Sequence, residues 1–389
     1  MSVSQSISLF IVVMAAFIAP FVSRYTKMPV VAIEILVGII LGPTVLNIVS
    51  HSEFMRFLAE FGFLLLMFYV GLEIDVMELN KKLIILNTMA FLINLLLSFI
   101  LIKVFNLNFA FVAVFVSVSV GIVVGVLKEL GILNSNLGKI ILYSGIIQEF
   151  IVLMLATSYE IYKGEGYSVY KYVEIVLSIS MAILFFRVVR VLHWWYPKHF
   201  SYFSSSSDPL SLRIRFALTI MLLSVSFAFY FHIDPVVGAF IAGFIISLSF
   251  SNVEMIKKDI ETIGMGFFIP LFFVYTGINT QIEIKDLPFA VFIVFLMFFS
   301  HLGSVLIFYF NGFSIFKSTL FSLNLTKGVS IAVLLMTIAK TEGLINQRIF
   351  SLAILVSILA EIFYTVLFKM GYKNIIVKEK QGERTLSPY

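Results

Sequence analysis

Cysteine is absent from the 389 residues, so no disulfide framework, thiolate metal site or iron–sulfur cluster is available to this chain. Charge is scarce too: Asp, Glu, Lys and Arg make up 13% of the sequence, whereas a soluble domain carries roughly 25%. None of the five His residues stands at helical spacing from a second His with a Glu between, which excludes the zinc-protease pattern. There is no glycine-rich phosphate loop, and no cofactor or enzymatic activity is expected. Basic clusters interleaved with aromatics, the mark of nucleic-acid binding, are lacking as well. No Lys or Arg precedes the first apolar stretch, which reads as a first membrane span rather than a signal peptide.

What remains is apolar. Hydrophobic residues form 60% of the chain, 43 of them Phe, and mean hydropathy is +1.06. The lipid bilayer is therefore the expected partner. Spans need about 20 apolar residues each, and charges and turn residues divide the chain into thirteen candidates. They fall near 6–23, 29–48, 57–73, 83–103, 108–127, 138–160, 171–192, 212–231, 235–250, 260–280, 287–310, 316–339 and 347–369. With the N-terminus outside, nineteen Lys and Arg fall on the cytoplasmic side and seven on the outer side, with Lys327 inside a span. This asymmetry predicts an external N-terminus and a cytoplasmic C-terminus. The polar stretch 194–211 reads as a cytoplasmic linker between halves at about 6–192 and 212–370. Residues 373–389 read as a short basic tail, leaving 1–372 as the membrane domain.

Against this background the dipeptide Gln148-Glu149 stands out, inside the apolar run Ile140–Thr157. A carboxylate at the centre of a spanning helix costs at least ~2.5 kcal/mol, and such residues are rare unless they bind a cation, carry a proton or pair. Gln148 adds a neutral oxygen, so together the two offer hard ligands to a small cation. The plainer reading is an inert Glu, hydrogen-bonded at a helix interface. Two spans also look interrupted. The fifth reads Val116–Gly125 with Ser117, Ser119 and Gly121 at its centre; the twelfth reads Ser322–Ser330 with Asn324, Thr326, Lys327 and Gly328. Paired interrupted helices in two halves point to an inverted-repeat transporter, whose unwound backbone lines a cavity. Alternatively, Ser117 and Ser119 are small packing residues bonded back to the preceding turn.

Five segments in order resemble landmarks of bacterial monovalent cation:proton antiporters. They are Pro29–Pro43, Glu60–Asp75, Val126–Ser135, Asp234–Gly243 and Phe268–Gly277. The Kef- and Nap-type branch is most similar. The resemblance implies an all-α polytopic fold of about thirteen helices, with inverted repeats and two broken helices that cross. It further implies a homodimer in the bacterial inner membrane, with a core domain moving against a dimerisation domain. Transport of Na+ or K+ against H+, and a role in pH homeostasis, follow from the same resemblance. The family's essential carboxylate on the sixth span corresponds to Glu149, preceded by Gln148, and the hydroxyls of Ser117 and Ser119 fall in the first broken helix. Here the chain departs from the pattern. No second acid stands in that helix. Ser300 and His301 occupy the place of a Lys that many members carry on the eleventh span. Lys327-Gly328-Val329 keeps the cation of the usual Arg-Gly-Glu but not its acid.

A single group that holds either a proton or a cation, never both, suffices for exchange. Removal from water favours the neutral form of a carboxyl, and the ionised form needs a cation to cross cheaply. With one carboxylate, one proton for one cation is the simplest stoichiometry, so electroneutral exchange is expected. Lys327 reads either as compensating the half-helix ends when no cation is bound, or as a fixed salt bridge, with Glu149 as a candidate partner. His301 reads as a satisfied interior residue or, since a free imidazole titrates near about 6.5, as a pH sensor. Glu34 reads as an interface residue, and Asp234-Pro235 as a helix start. The competing functions are a transport-silent or sensor-like relative and a channel-like efflux protein.

Overall fold

The computed structural model describes residues 3–26, 28, 30–49, 52–74, 81–165, 191, 195, 210–230, 235–249, 253–280, 284–326 and 328–380. Among these every regular element is a helix. In chain order they are α1 (Val3–Thr26), α2 (Val30–Leu41), α3 (Glu53–Leu72), α4 (Lys81–Val104), α5 (Phe111–Val116), α6 (Val120–Glu129), α7 (Asn136–Glu165), α8 (Leu212–Tyr230) and α9 (Pro235–Ser249). α10 follows at Glu254–Ile278, with a π-helical turn at Gly264–Phe268. Then come α11 (Leu287–Ser300), α12 (Leu302–Phe310), α13 (Ile315–Ser322), α14 (Val329–Thr341) and α15 (Gln347–Lys380).

Among the described residues, nine helices are long and apolar enough to cross a membrane, and shorter apolar helices accompany them. Twelve of the predicted spans coincide with these helices, and three of them, 108–127, 287–310 and 316–339, are each built from two; 171–192 lies outside the described residues except for Val191, as does most of the predicted linker. α15 runs past the expected end at Tyr372 to Lys380. Nothing in Lys373–Lys380 breaks a helix: it holds no Pro or Gly, and Lys and Glu are good helix formers.

The backbone contacts divide the chain into two interleaved compact units. One holds Ser52–Glu78 and Leu153–Phe272, hence α3, α8, α9 and most of α10. In lipid, helices gain little from burying apolar surface against each other, so close backbone approach at small residues matters more. Here α3 and α9 meet at Gly71 and Gly243: a Cβ on Gly243 would lie 2.0 Å from the Phe68 carbonyl oxygen. At one end the charges are paired, Arg213 with Asp259 at 2.7 Å and Lys257 with Glu73 at 3.6 Å.

The other unit holds Met1–His51, Leu79–Val152 and Phe273–Tyr389. It uses the same device, since a Cβ on Gly38 in α2 would fall 2.1 Å from the Val274 carbonyl oxygen of α10. Polar bonds hold α4 to α12. Asn94 donates to Ser304 Oγ at 2.8 Å and its Oδ1 accepts the Ser304 amide at 3.2 Å. Tyr364 of α15 donates its hydroxyl to the Val294 carbonyl of α11. Large side chains such as Phe10, Phe17, Leu96 and Phe295 face outward, as a lipid-facing surface requires. All the residues singled out for ion chemistry that the structure describes belong to this second unit.

Candidate functional site

Two helices of this unit break in the middle. α5 ends at Val116, after which Ser117 (φ −67°, ψ 131°) and Ser119 (φ −119°, ψ 108°) are extended, and α6 restarts at Val120. Valines alternating with two serines make a poor helix centre, and the extended backbone leaves helix-end carbonyls and amides without intrahelical partners. The second break follows α13: a 3-10 turn at Leu323–Leu325, then Thr326 and Gly328 outside helical geometry, before α14 begins at Val329.

The breaks touch. A Cβ built on Gly328 would lie 2.4 Å from the Ser117 carbonyl carbon and 2.6 Å from the Val118 amide nitrogen. Gly328 has φ −159°, an extended value open to any residue. Glycine is needed there because a second backbone occupies the space where a side chain would begin.

α7 lies against this crossing. At Gly145, an added Cβ would contact Val120 Cγ2 at 3.4 Å and both Val118 Cγ1 and Leu325 Cδ2 at 3.8 Å, so one turn of α7 faces both broken helices. One helical turn further along that face stands Glu149, only 1% exposed. Its Oε2 accepts the Val120 amide at 2.8 Å. Val120 opens α6, whose N-terminus carries about half a positive charge from aligned peptide dipoles. Ser119 does not cap α6 with its hydroxyl; the carboxylate from α7 takes that place. The other oxygen, Oε1, is buried with no hydrogen-bond partner. The carboxylate therefore has one oxygen anchored by the fold and one available to a proton or a cation.

Gln148 is held from a different direction. Its Nε2 donates to Asn87 Oδ1 on α4 at 3.2 Å, and Asn87 Nδ2 donates in turn to the Leu83 carbonyl at 2.9 Å. The amide nitrogen of Gln148 is thus spent on α4. Replacing Asn87 by Leu is expected to lower stability by about 1–3 kcal/mol, because the Gln148 amide is left buried and unpaired. Adding Gln148→Leu should recover most of that loss in thermal unfolding, since a matched apolar pair carries no desolvation penalty.

Both serines are fully buried at the break. The Ser117 hydroxyl donates to the Ala113 carbonyl at 2.6 Å, the back-bond expected of a packing residue. His301 sits at the turn between α11 and α12. Its Nδ1 lies 3.1 Å from Ser300 Oγ and 3.2 Å from the Met297 carbonyl, Nε2 is buried with no hydrogen bond of ordinary geometry, and the ring interacts with the backbone of Leu325 in the second break. No hydrogen bond or ion pair joins His301 or Ser300 to Glu149. Lys327 lies outside the described residues, as does Asp234; Pro235 opens α9 as expected. Glu34 is buried on α2, close enough to the buried Glu361 of α15 for their charges to interact.

Sequence reasoning passed over Asn87, and read Asn324 only as part of an interrupted span. Asn87, Asn94 and Ser98 recur at spacings of seven and four along α4 and all are buried, a polar stripe in an apolar helix that could have marked α4 as a neighbour of the site. Gly125, on α6 five residues beyond Val120, faces open space, with no atom within 4 Å of an added Cβ.

The described residues bring no group of three or more His, Asp or Glu together that could hold a metal ion. An alkali ion would be cargo rather than a resident metal. Hard oxygens suit such an ion, and this crossing offers carboxylate, hydroxyl and freed carbonyl oxygens.

Comparison with known proteins gives the geometry a context. A family model described as the transmembrane part of sodium/hydrogen exchangers matches residues 13–370. A putative Na(+)/H(+) antiporter of Bacillus subtilis, YjbQ, is 30% identical over 97% of this chain, and the chain spans 64% of that protein's length. A probable Na(+)/H(+) antiporter of Methanocaldococcus jannaschii is 29% identical over 92% of this chain and 95% of the relative. Among solved structures, the sodium proton antiporter MjNhaP1 of the same archaeon has the same fold. Its TM-score is 0.65 at 16% identity, covering 96% of this chain and 98% of the other.

Proposed function

The chain belongs to the sodium/hydrogen exchanger family, one of transporters rather than enzymes, and on that premise we propose that it is a secondary active antiporter exchanging H+ for a monovalent cation, Na+ or K+. The observation that carries this reading is Glu149, buried, with one oxygen on the α6 N-terminus and the other unpartnered. A proton on Oε1 makes the group neutral. An alkali ion there balances the charge instead, with Gln148, Ser117, Ser119 and the carbonyls of the breaks supplying further oxygen. The two ligands compete for one group, so binding one expels the other.

Exchange of one for one is electroneutral in this scheme. Lys327 compensates the helix ends when the cation leaves, and His301 is the candidate for a response to pH. The membrane domain, 1–372, comprises halves at about 6–192 and 212–370 joined by the linker 194–211, with 373–389 as a cytoplasmic tail. It works as a homodimer in the bacterial inner membrane, N-terminus outside.

In everted vesicles carrying a pH-sensitive dye, addition of Na+, K+ or Li+ is expected to release protons from the lumen. The cation concentration for half-maximal response should rise as the assay pH falls, because protons occupy the shared carboxylate. In proteoliposomes no current should accompany turnover. An absent response to all three ions would sink the antiporter reading, and a current proportional to turnover would sink electroneutrality. In the first case the alternatives are a silent or sensor-like relative, or a channel-like efflux protein.

A further inference from the structure

Asn324 lies in the 3-10 turn that ends the first half of the second broken helix. It is 0% exposed, and both side-chain atoms, Oδ1 and Nδ2, are buried without a hydrogen-bond partner. Each such group costs about 1–3 kcal/mol when left unmatched, and buried polar atoms in native proteins nearly always find partners. Other buried asparagines of the same unit obey that rule. Asn87 bonds Leu83 and Gln148, and Asn94 bonds both the hydroxyl and the amide of Ser304. As a structural residue, Asn324 would be worse than Leu.

Its position is what gives the unmatched amide a use. The next residue, Leu325, packs against Gly145 on the face of α7 that carries Glu149. Four residues beyond Asn324, Gly328 presses on Ser117 and Val118 of the first break. The carboxamide therefore belongs to the short unwound stretch that meets both α7 and the first break. It offers a neutral hard oxygen, suited to an alkali ion, in a site with a single acid. Its nitrogen can donate to a carbonyl or carboxylate when the ion is gone.

We propose that Asn324 Oδ1 is a ligand of the transported cation, contributed by the second broken helix opposite Glu149. The inference rests on the antiporter reading above and deepens it. A ligand from each broken helix makes ion binding depend on the relative placement of the two. It also gives the protein a neutral group with which to discriminate between ions by size.

The test is thermal unfolding of the purified full-length chain titrated with NaCl, KCl or LiCl, with choline chloride holding ionic strength constant. In the wild type, at least one cation should raise the unfolding temperature saturably. In Asn324→Ala the half-effect concentration should rise about tenfold or more, the loss of one ligand worth ~1.4 kcal/mol. In Asn324→Asp, which keeps the oxygen and adds charge, it should fall. A half-effect concentration in Asn324→Ala within twofold of the wild type would overturn the proposal. Should Asn324→Ala fail to fold, an unshifted Asn324→Asp would overturn it equally. Glu149→Gln separates the two readings. If it abolishes cation stabilisation while Asn324→Ala does not, only the role of Asn324 falls. If neither wild type nor Glu149→Gln shows specific stabilisation, the site at Glu149 falls with it.

Discussion

Vesicles containing Glu149→Gln are expected to show no cation-driven proton release with any alkali ion. Gln has nearly the shape of Glu and can still accept the Val120 amide through its carbonyl oxygen, so α6 keeps its cap and the fold should persist. It cannot ionise, however. Without a charge it loses the electrostatic part of cation ligation, about 1.5–3 kcal/mol for a charge-assisted contact, which weakens binding by roughly 10- to 150-fold. More decisively, it has no proton to give up, so exchange stops at any cation concentration. Glu149→Asp separates the two effects. It retains the proton but draws the carboxylate back by one methylene, away from Val120, and should exchange with a raised half-saturating cation concentration. Normal exchange by Glu149→Gln would remove this residue from the mechanism.

The second large effect is expected from Gly328→Ala. The added methyl would start 2.4 Å from the carbonyl carbon of Ser117 and 2.6 Å from the Val118 nitrogen, and both are backbone atoms that no rotamer change can move aside. Overpacking in a well-filled interior costs typically about 1–3 kcal/mol, and here the strain is relieved only by separating the two breaks. A lowered unfolding temperature with loss of exchange is therefore expected. Gly125→Ala provides the contrast. Its Cβ would enter open space on α6, and Ala favours a helix over Gly by about 0.5–1 kcal/mol. If Gly328→Ala unfolds and exchanges like the wild type, the direct contact between the breaks is not what holds the site.

The spans that fall on described residues were legible because lipid demands about 20 apolar residues in a row and charges punctuate them. Both interruptions were legible for a similar reason, since Ser117 and Ser119, and Asn324 to Gly328, place polar or glycine residues where a spanning helix should be uniform. Glu149 was conspicuous by its cost. Contacts between distant segments were not legible. Nothing in local pattern links Asn87 to Gln148, 61 residues apart in sequence, or sets Gly328 against Ser117. The interleaving of the two compact units was hidden for the same reason: contact partners are chosen in three dimensions, while hydropathy is read in one. Ser117 shows the limit from the other side. Its type suggested either ligand or packing residue, and only geometry reveals that its hydroxyl proton is bonded to Ala113.

The open side of Gly125 also gives the protein a built-in vantage point. These 389 residues contain no thiol, so Gly125→Cys would introduce a unique label with no background to subtract. Five residues along a helix is about 7.5 Å, which sets that label some one and a half turns from the amide that anchors Glu149. Its reactivity towards a small water-soluble maleimide, followed as the bathing cation is changed, would report how closely solvent approaches the carboxylate.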